Sequence, residues 1–281
     1  MTQSPNVQKL SSFSDGTQGG NPAGVVIADS LPSTEQMQQI AAEVGFSESA
    51  FAEPADNGYR VRYFSPQSEV PFCGHATIAL GAALAQAFGN RTYPLQLTNA
   101  TISVDGRITD QGMSATLQSP PTHSHAASEE MLESALALFG LQTTDLDSRI
   151  PPAFAHAGAN HLVLFLKSRE RLAQMHYDLV KGKRWMDQHE LVTVLLGYIE
   201  SDQLFHTRNA FASGGVLEDP ATGAATAALA GYLRDINWPH GGEINIVQGE
   251  DMGSKSLINA QFSDTVGESI AVSGSVRSLE G

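Results

Sequence analysis

Two helices of the same kind dominate this sequence. One follows Phe72-Cys73-Gly74-His75 and the other follows Asp219-Pro220-Ala221-Thr222-Gly223. Each is entered through a Gly beside a polar or ionisable residue and then runs on almost entirely in Ala, Leu, Ile and Thr, to Phe88 and Leu233 respectively. At the least these are two central packing helices, one per half of the chain. Their entrances add a chemical possibility. A helix start carries N–H groups without intrahelical acceptors and the positive end of the macrodipole. A Gly there lets a ligand approach the backbone closely. Two such entrances could together bind one small anion between two similar domains.

Composition limits the alternatives. The 281 residues suit one large domain or two of roughly 130–150 residues. With 16 Lys and Arg against 30 Asp and Glu, the net charge of −14 argues against a nucleic-acid partner and a polybasic membrane surface. One cysteine excludes an internal disulfide framework, an all-cysteine metal cluster and a catalytic pair of thiols within the chain. Residues Met1 to Phe13 lack the apolar core of a signal peptide. The greasiest stretch, Ala76 to Ala85, is about half of the ~20 residues a spanning helix needs. A cytoplasmic protein is expected. The loose patch Ser119–Ser128 reads as the crossing between halves, giving a first half over 1–120, completed by about 268–281, and a second over 121–267.

Hydrophobic periodicity supplies a coarse outline. Strands are expected at Val25–Ala28, Tyr59–Phe64, Leu95–Val104, Met113–Leu117, His161–Leu166, Ile244–Val247, Ser256–Phe262 and Ile270–Ser275. Besides the two Ala-rich helices, one helix starts at Pro32-Ser33-Thr34-Glu35 and stops at Gly45, and another spans Glu129–Phe139. Arg169–Met175 and Leu191–Tyr198 are elements of undecided type.

Few side chains invite chemistry. Glu48 lies in what reads as a loop between the first helix and a possible strand, where a solvated role is the ordinary one. His75 stands at a helix entrance, where the dipole favours neutral imidazole and suits it to proton transfer; a packing role is the plainer reading. Cys73 could become a thiolate there or be an inert buried residue. Asp219 could cap the second helix or take part in chemistry. No His-Glu-x-x-His spacing occurs, so no metal site is expected. Residues two apart on a helix diverge by about 200°, so Cys73 and His75 are not expected to pair as in a cysteine hydrolase.

Taken together, the segments carry a resemblance. Gly20-Asn21-Pro22-Ala23-Gly24-Val25-Val26, Phe46-Ser47-Glu48-Ser49-Ala50-Phe51, Tyr63-Phe64-Ser65-Pro66, Glu69-Val70-Pro71-Phe72-Cys73-Gly74-His75-Ala76-Thr77 and Gly215-Val216-Leu217-Glu218-Asp219-Pro220-Ala221-Thr222-Gly223 resemble, in order and spacing, the phenazine biosynthesis (PhzF-like) family. So does Val247-Gln248-Gly249-Glu250 with Met252-Gly253. The resemblance spans nearly the whole chain. It implies the diaminopimelate-epimerase-like α+β fold: two similar halves, each a curved, mostly antiparallel, barrel-like sheet around a central helix, with the ligand in the cleft between them.

The resemblance also implies roles. In the isomerase for which the family is named, a Glu shuttles a proton between two ring carbons of a trans-2,3-dihydro-3-hydroxyanthranilate, without a cofactor. Glu48 falls at that position, and His75 and Asp219 fall on the residues thought to assist it. Ser47, Gly74, Thr222, Gly223 and Ala224 fall on positions that hold a small anionic carboxylate substrate. A homodimer is the family expectation. The chain departs from the pattern at Ala224, where many relatives carry Ser, and at Cys73, where the phenazine enzyme has a small non-thiol residue. It departs also at Leu10-Ser11-Ser12-Phe13, a weak version of the usual first strand, and at Ser254-Lys255-Ser256. These departures point away from the phenazine substrate itself. The rival readings are a Glu-based epimerase or racemase of the same fold and a ligand-binding or interaction protein without catalysis.

Overall fold

The computed structural model describes residues 6–98 and 100–279; the outermost residues of the expected first half, 1–5 and 280–281, lie outside these. The chain forms two compact units, residues up to 118 with 273 onward, and residues 119–272.

The first unit contains β1 (Gln8–Ser12), β2 (Asn21–Ile27), α1 (Thr34–Val44), β3 (Glu48–Ala55), β4 (Gly58–Phe64), β5 (Glu69–Val70), α2 (Gly74–Phe88), β6 (Arg91–Gln96), β7 (Thr101–Thr109) and β8 (Gly112–Gln118). The closing strand is the last of the chain, Ala271–Ser278, labelled β17 for its place in sequence. Helix α1 starts as its sequence dictates: Ser33 and Gln36 form a reciprocal capping box, and Gly45 ends it in the left-handed region at φ 72°. That helix carries the chain from β2 to β3, which pair in parallel, a connection that needs such a crossover. The sheet then continues antiparallel to β4, parallel from β4 to β6 across α2, and antiparallel through β7 and β8. Strand β17 pairs with both β8 and β1, and β1 pairs with β2, so eight strands close into a ring.

Helix α2 fills that ring. Every residue from His75 to Ala85 is buried, as an all-round apolar helix requires. Small side chains let sheet and helix approach to backbone contact. A Cβ on Gly106 of β7 would stand 2.1 Å from the Gly81 carbonyl oxygen, and one on Gly81 would stand 2.5 Å from Val104. Elsewhere in the ring Tyr63 bonds Thr77 at 2.7 Å, and the Thr77 hydroxyl donates back to the Cys73 carbonyl at 2.7 Å. The Ser12 hydroxyl donates to the His75 carbonyl at 2.7 Å. These bonds fix the first turn of α2.

The second unit comprises β9 (His123–Ala126), α3 (Glu129–Phe139), β10 (Ala153–His156), β11 (Asn160–Leu166), α4 (Arg169–Ala173), α5 (Leu179–Gln188), β12 (Thr193–Ile199), β13 (Leu204–Ala210), β14 (Glu218–Asp219), α6 (Gly223–Asp235), β15 (Glu243–Gln248) and β16 (Ser256–Gln261). Its pairings repeat those of the first unit. Strands β10 to β16 run antiparallel, parallel, antiparallel, antiparallel, then parallel from β13 to β15 and antiparallel to β16, as β1 to β7 do. The central helix is now α6, buried at Gly223 and from Ala225 to Arg234 and packed on β9, β10, β11 and β16. Register makes the repeat residue-specific. Glu48 pairs with Ala23 as Thr193 pairs with His161, and Tyr63 pairs with Val70 as Asn209 pairs with Asp219.

Several sequence expectations are corrected. Leu95–Val104 is not one strand: the Leu97 N–H donates to the Ala100 carbonyl, turning β6 into β7. Glu48 is not in a loop but opens β3. Strands β9, β10 and β13 and helix α5 gave no clear periodic signal. The weak first strand is nonetheless a strand, β1. No helix among the described residues is long and apolar enough to cross a membrane.

Candidate functional site

In the first unit, Ser47, Glu48, Cys73, Gly74 and His75 come together at the start of α2. Cys73 is the N-cap, with extended backbone angles of φ −144° and ψ 116° and no side-chain capping bond. The first N–H groups of the helix, beginning with Gly74, therefore receive no side-chain cap from that residue. The extended backbone also overturns the expectation that Cys73 and His75 diverge. The 100° step applies only between helical residues, and Cys73 precedes the helix, so its Sγ lies 3.3 Å from His75 Nδ1. The same thiol reaches Glu48 Oε2 at 3.7 Å. Glu48 Oε2 lies 3.6 Å from His75 Nε2, and the Ser47 hydroxyl lies 3.4 Å from that nitrogen. Among the described residues, Glu48, Cys73 and His75 also form a group close enough to share a metal ion.

Burial pulls the His75 pKa below the ordinary imidazole value, outweighing the Glu48 charge and the hydrogen bond to the Pro22 backbone, which both raise it. The ring is therefore neutral at neutral pH. The direction agrees with the sequence reading, but desolvation, not the helix dipole, is its cause. A neutral imidazole and a thiol flank the carboxylate, and no Lys or Arg is among these groups. Such a carboxylate can accept and return a proton without being locked into an ion pair.

In the second unit, Asp219, Thr222, Gly223 and Ala224 cluster at the start of α6. Asp219 ends β14 and is buried, and Thr222 is the N-cap. Thr222 does not cap α6 with its side chain; its hydroxyl donates instead to Asp219 Oδ2 at 2.5 Å. Ala224 follows Gly223 in the first turn and offers only main chain, as the sequence requires.

Behind Asp219 stands a buried polar chain that the sequence analysis did not find. The Gln248 amide donates to the Asp219 carbonyl at 2.7 Å and to Thr222 Oγ1 at 3.0 Å. Its oxygen accepts from the Thr222 N–H at 3.2 Å and from Asn209 Nδ2 at 3.0 Å. Asn209 Oδ1 accepts from the Thr193 hydroxyl at 3.1 Å, and Thr193 meets His161 Nδ1 at 2.8 Å. Because the Thr193 proton goes to Asn209, His161 Nδ1 must be the donor to Thr193. Burial lowers the His161 pKa to about 3, so the ring is neutral and Nε2 is a bare acceptor. The side-chain donors thus run in one direction, from His161 through Thr193, Asn209, Gln248 and Thr222 to the Asp219 carboxylate. Behind Asp219 and Thr222, Gln248 lay in a motif of the family resemblance, whereas His161 and Thr193 had been read only as parts of secondary-structure elements and Asn209 not at all.

The family model for phenazine biosynthesis-like proteins, PhzC-PhzF, matches residues 10–280. A trans-2,3-dihydro-3-hydroxyanthranilate isomerase of Pseudomonas fluorescens is 30% identical over 248 residues, 86% of this chain and 84% of that one. The crystal structure of a Bacillus anthracis phenazine biosynthesis protein of the PhzF family superposes with a TM-score of 0.86 at 21% identity, covering 99% and 98% of the two chains. A hydroxyproline epimerase from Agrobacterium vitis shares the fold more distantly, with a TM-score of 0.64 at 12% identity over 99% of this chain and 91% of that one. The diaminopimelate-epimerase-like α+β architecture is therefore shared with racemases and epimerases. With a family match over almost its entire length, the chain belongs to the phenazine biosynthesis-like family and is an isomerase of it.

Proposed function

We propose that this protein is a cofactor-independent isomerase that moves a proton between carbons of a small cyclic carboxylate, with Glu48 as the acid and base. The observation that carries this reading is the placement of Glu48 Oε2 within 3.6 Å of His75 Nε2 and 3.7 Å of Cys73 Sγ, with no Lys or Arg ion pair to it among the described residues. A carbon acid needs a base that retains the proton and redelivers it, and a half-buried carboxylate beside a neutral imidazole meets that need. In this reading His75 holds the carboxylate in place, and Asp219 assists as the terminal acceptor of its buried chain. Ser47, Gly74, Thr222, Gly223 and Ala224 bind the substrate carboxylate, mainly through main-chain N–H groups at helix starts, so an anion can be held in an acidic protein without Lys or Arg. The substrate resembles in class that of the relative named as a trans-2,3-dihydro-3-hydroxyanthranilate isomerase. Homodimer assembly and a cytoplasmic location complete the proposal.

Epimerisation by one base is the second reading, and the distances shape it. Two-base inversion places acid and base on opposite faces of the reacting carbon. Glu48 and Cys73 are in hydrogen-bond contact, which leaves no room for a carbon between them. Any epimerisation at this group would therefore run through Glu48 alone.

The test is deuterium incorporation from solvent into a panel of small cyclic carboxylates, followed by mass spectrometry. Glu48→Gln should lower exchange by ~10²–10⁴-fold while ligand binding persists. Undiminished exchange by that variant would remove Glu48 from the role. Exchange without change of double-bond position would favour epimerisation.

A further inference from the structure

The internal repeat supplies a control for side chains near the two helix starts. Tyr63 pairs with Val70 as Asn209 pairs with Asp219, and their neighbours correspond too. Arg62 holds Glu69 through two bonds of 2.7 and 2.6 Å, and Arg208 holds Glu218 in the same way at 3.0 and 2.5 Å. One residue before each of these carboxylates, the Ser65 N–H donates to the Ser68 carbonyl at 2.8 Å, and the Phe211 N–H donates to the Leu217 carbonyl at 3.3 Å. Backbone and ion pair are thus repeated, but where the first unit carries Ser68 the second carries Leu217. Both residues are exposed, Leu217 to 51%. The scaffold accepts a polar residue at this place, so packing does not require the leucine. We infer that Leu217 is a specificity-determining residue, the apolar wall against which the ring of the carboxylate substrate lies.

The direction of the side chain follows from alternation along the strand. Glu218 turns to Arg208 on one face of the β13–β14 pair, so Leu217 and Asp219 share the other face, roughly 6.5 Å apart. From that face Asp219 reaches Thr222, the N-cap of α6. Leu217 therefore flanks the helix start whose Gly223 and Ala224 N–H groups are read as holding the substrate carboxylate. The position is rigid as well as apolar. The Leu217 carbonyl accepts from the Phe211 N–H and, at 2.6 Å, from the Tyr177 hydroxyl, so both of its lone pairs are in use. A half-exposed leucine on a clamped main chain is a preorganised surface, and covering it releases water at little further cost in backbone ordering.

The inference narrows the substrate class, and it rests on the reading that a carboxylate binds at the start of α6. A carboxylate alone satisfies the N–H groups but leaves Leu217 in water. Covering the exposed half of a leucine side chain strengthens binding by about 4- to 12-fold. A second charge on that side of the ligand loses its water against the leucine methyls without a partner. The fitting ligand is a monocarboxylate whose ring is uncharged on the side that meets Leu217. The two units then divide the labour: the first carries the acid–base group, and the second grips the body of the molecule.

The experiment titrates the full-length protein with two monocarboxylates, benzoate and acetate, at fixed pH and ionic strength. Binding is followed by NMR on the amide resonances of Gly223 and Ala224. Wild type should bind benzoate more tightly than acetate. Leu217→Ser, which copies Ser68 of the first unit, should weaken benzoate by about 4- to 12-fold and leave acetate within about twofold. Leu217→Met should keep benzoate near its wild-type affinity. Equal benzoate affinity in wild type and Leu217→Ser overturns the inference. So does a loss shared equally by acetate, which would show that the helix start itself had been disturbed. Benzoate no tighter than acetate in wild type overturns it as well. In each of these cases the carboxylate reading stands, because wild type still binds acetate at α6. If neither anion moves the two resonances, carboxylate binding at α6 falls, and the role of Leu217 falls with it.

Discussion

Replacing Gln248 with Leu tests whether the buried chain behind Asp219 holds the start of α6 in place. Gln248 is fully buried and uses all four of its hydrogen-bonding sites: two N–H groups toward the Asp219 carbonyl and Thr222 Oγ1, and two lone pairs toward Asn209 Nδ2 and the Thr222 N–H. Leu nearly matches its volume, so little cavity forms. What remains is two donors, the buried Asn209 Nδ2 and the part-buried Thr222 N–H, that lose their Gln248 acceptor. At about 1–3 kcal/mol for each unsatisfied donor, less what the added apolar surface returns, the cost is about 3 kcal/mol. For a unit of this size that lowers Tm by roughly 6–12 °C. Both tryptophans, Trp185 and Trp238, lie in the second unit, so fluorescence-monitored urea unfolding reads that unit selectively. Gln248→Glu keeps the acceptor side but loses both donors and adds a charge near Asp219, and should be destabilised as well. A Gln248→Leu variant within about 1 kcal/mol of wild type would show that the chain is ornamental and that α6 is positioned by packing alone.

Three further outcomes follow from the same geometry. His75→Ala should slow solvent-deuterium exchange by at least ~10-fold; wild-type rates would leave His75 a packing residue. His161 is held neutral by burial, with its pKa near 3 against about 6.5 in an unfolded chain, so the unfolded state takes up a proton first as pH falls. Stability of the second unit should therefore drop between about pH 6.5 and 3, by up to ~1.4 kcal/mol per pH unit from this residue, and His161→Asn, which can still donate to Thr193, should flatten that slope in urea titrations. Gly106→Ala drives a Cβ into the Gly81 carbonyl and should cost about 2–3 kcal/mol by thermal unfolding, with unchanged stability refuting the backbone contact.

The sequence made the two central helices plain because their burial leaves no polar face to mislead. It made α1 plain because Ser33, Gln36 and Gly45 encode its ends locally. Strand β13, Leu-Phe-His-Thr-Arg-Asn-Ala, was obscure because its polar side chains are held by tertiary partners instead of facing water: Arg208 pairs with Glu218, and Asn209 is buried against Gln248. The chain from His161 to Asp219 was invisible for a related reason, since its bonds span 32, 16 and 39 residues and no local pattern marks them. Cys73 and His75 were misjudged by applying helical angles one residue too early. The acid–base candidate was legible through its motif, but its surroundings were not, because Glu48 meets its neighbours across 25 and 27 residues of chain.

The ring of the first unit is closed by β17, where Leu10, Ser11 and Ser12 pair with Ser278, Arg277 and Val276. This has a consequence for biosynthesis. A domain made first ordinarily folds first, yet here the N-terminal barrel lacks its last stave until residues 271–278 have left the ribosome. Residues 119–272 can complete their own fold while β1 and β8 still wait with open edges, the surfaces most prone to wrong pairing. Removing residues 271–278 would therefore injure the part of the protein synthesised earliest.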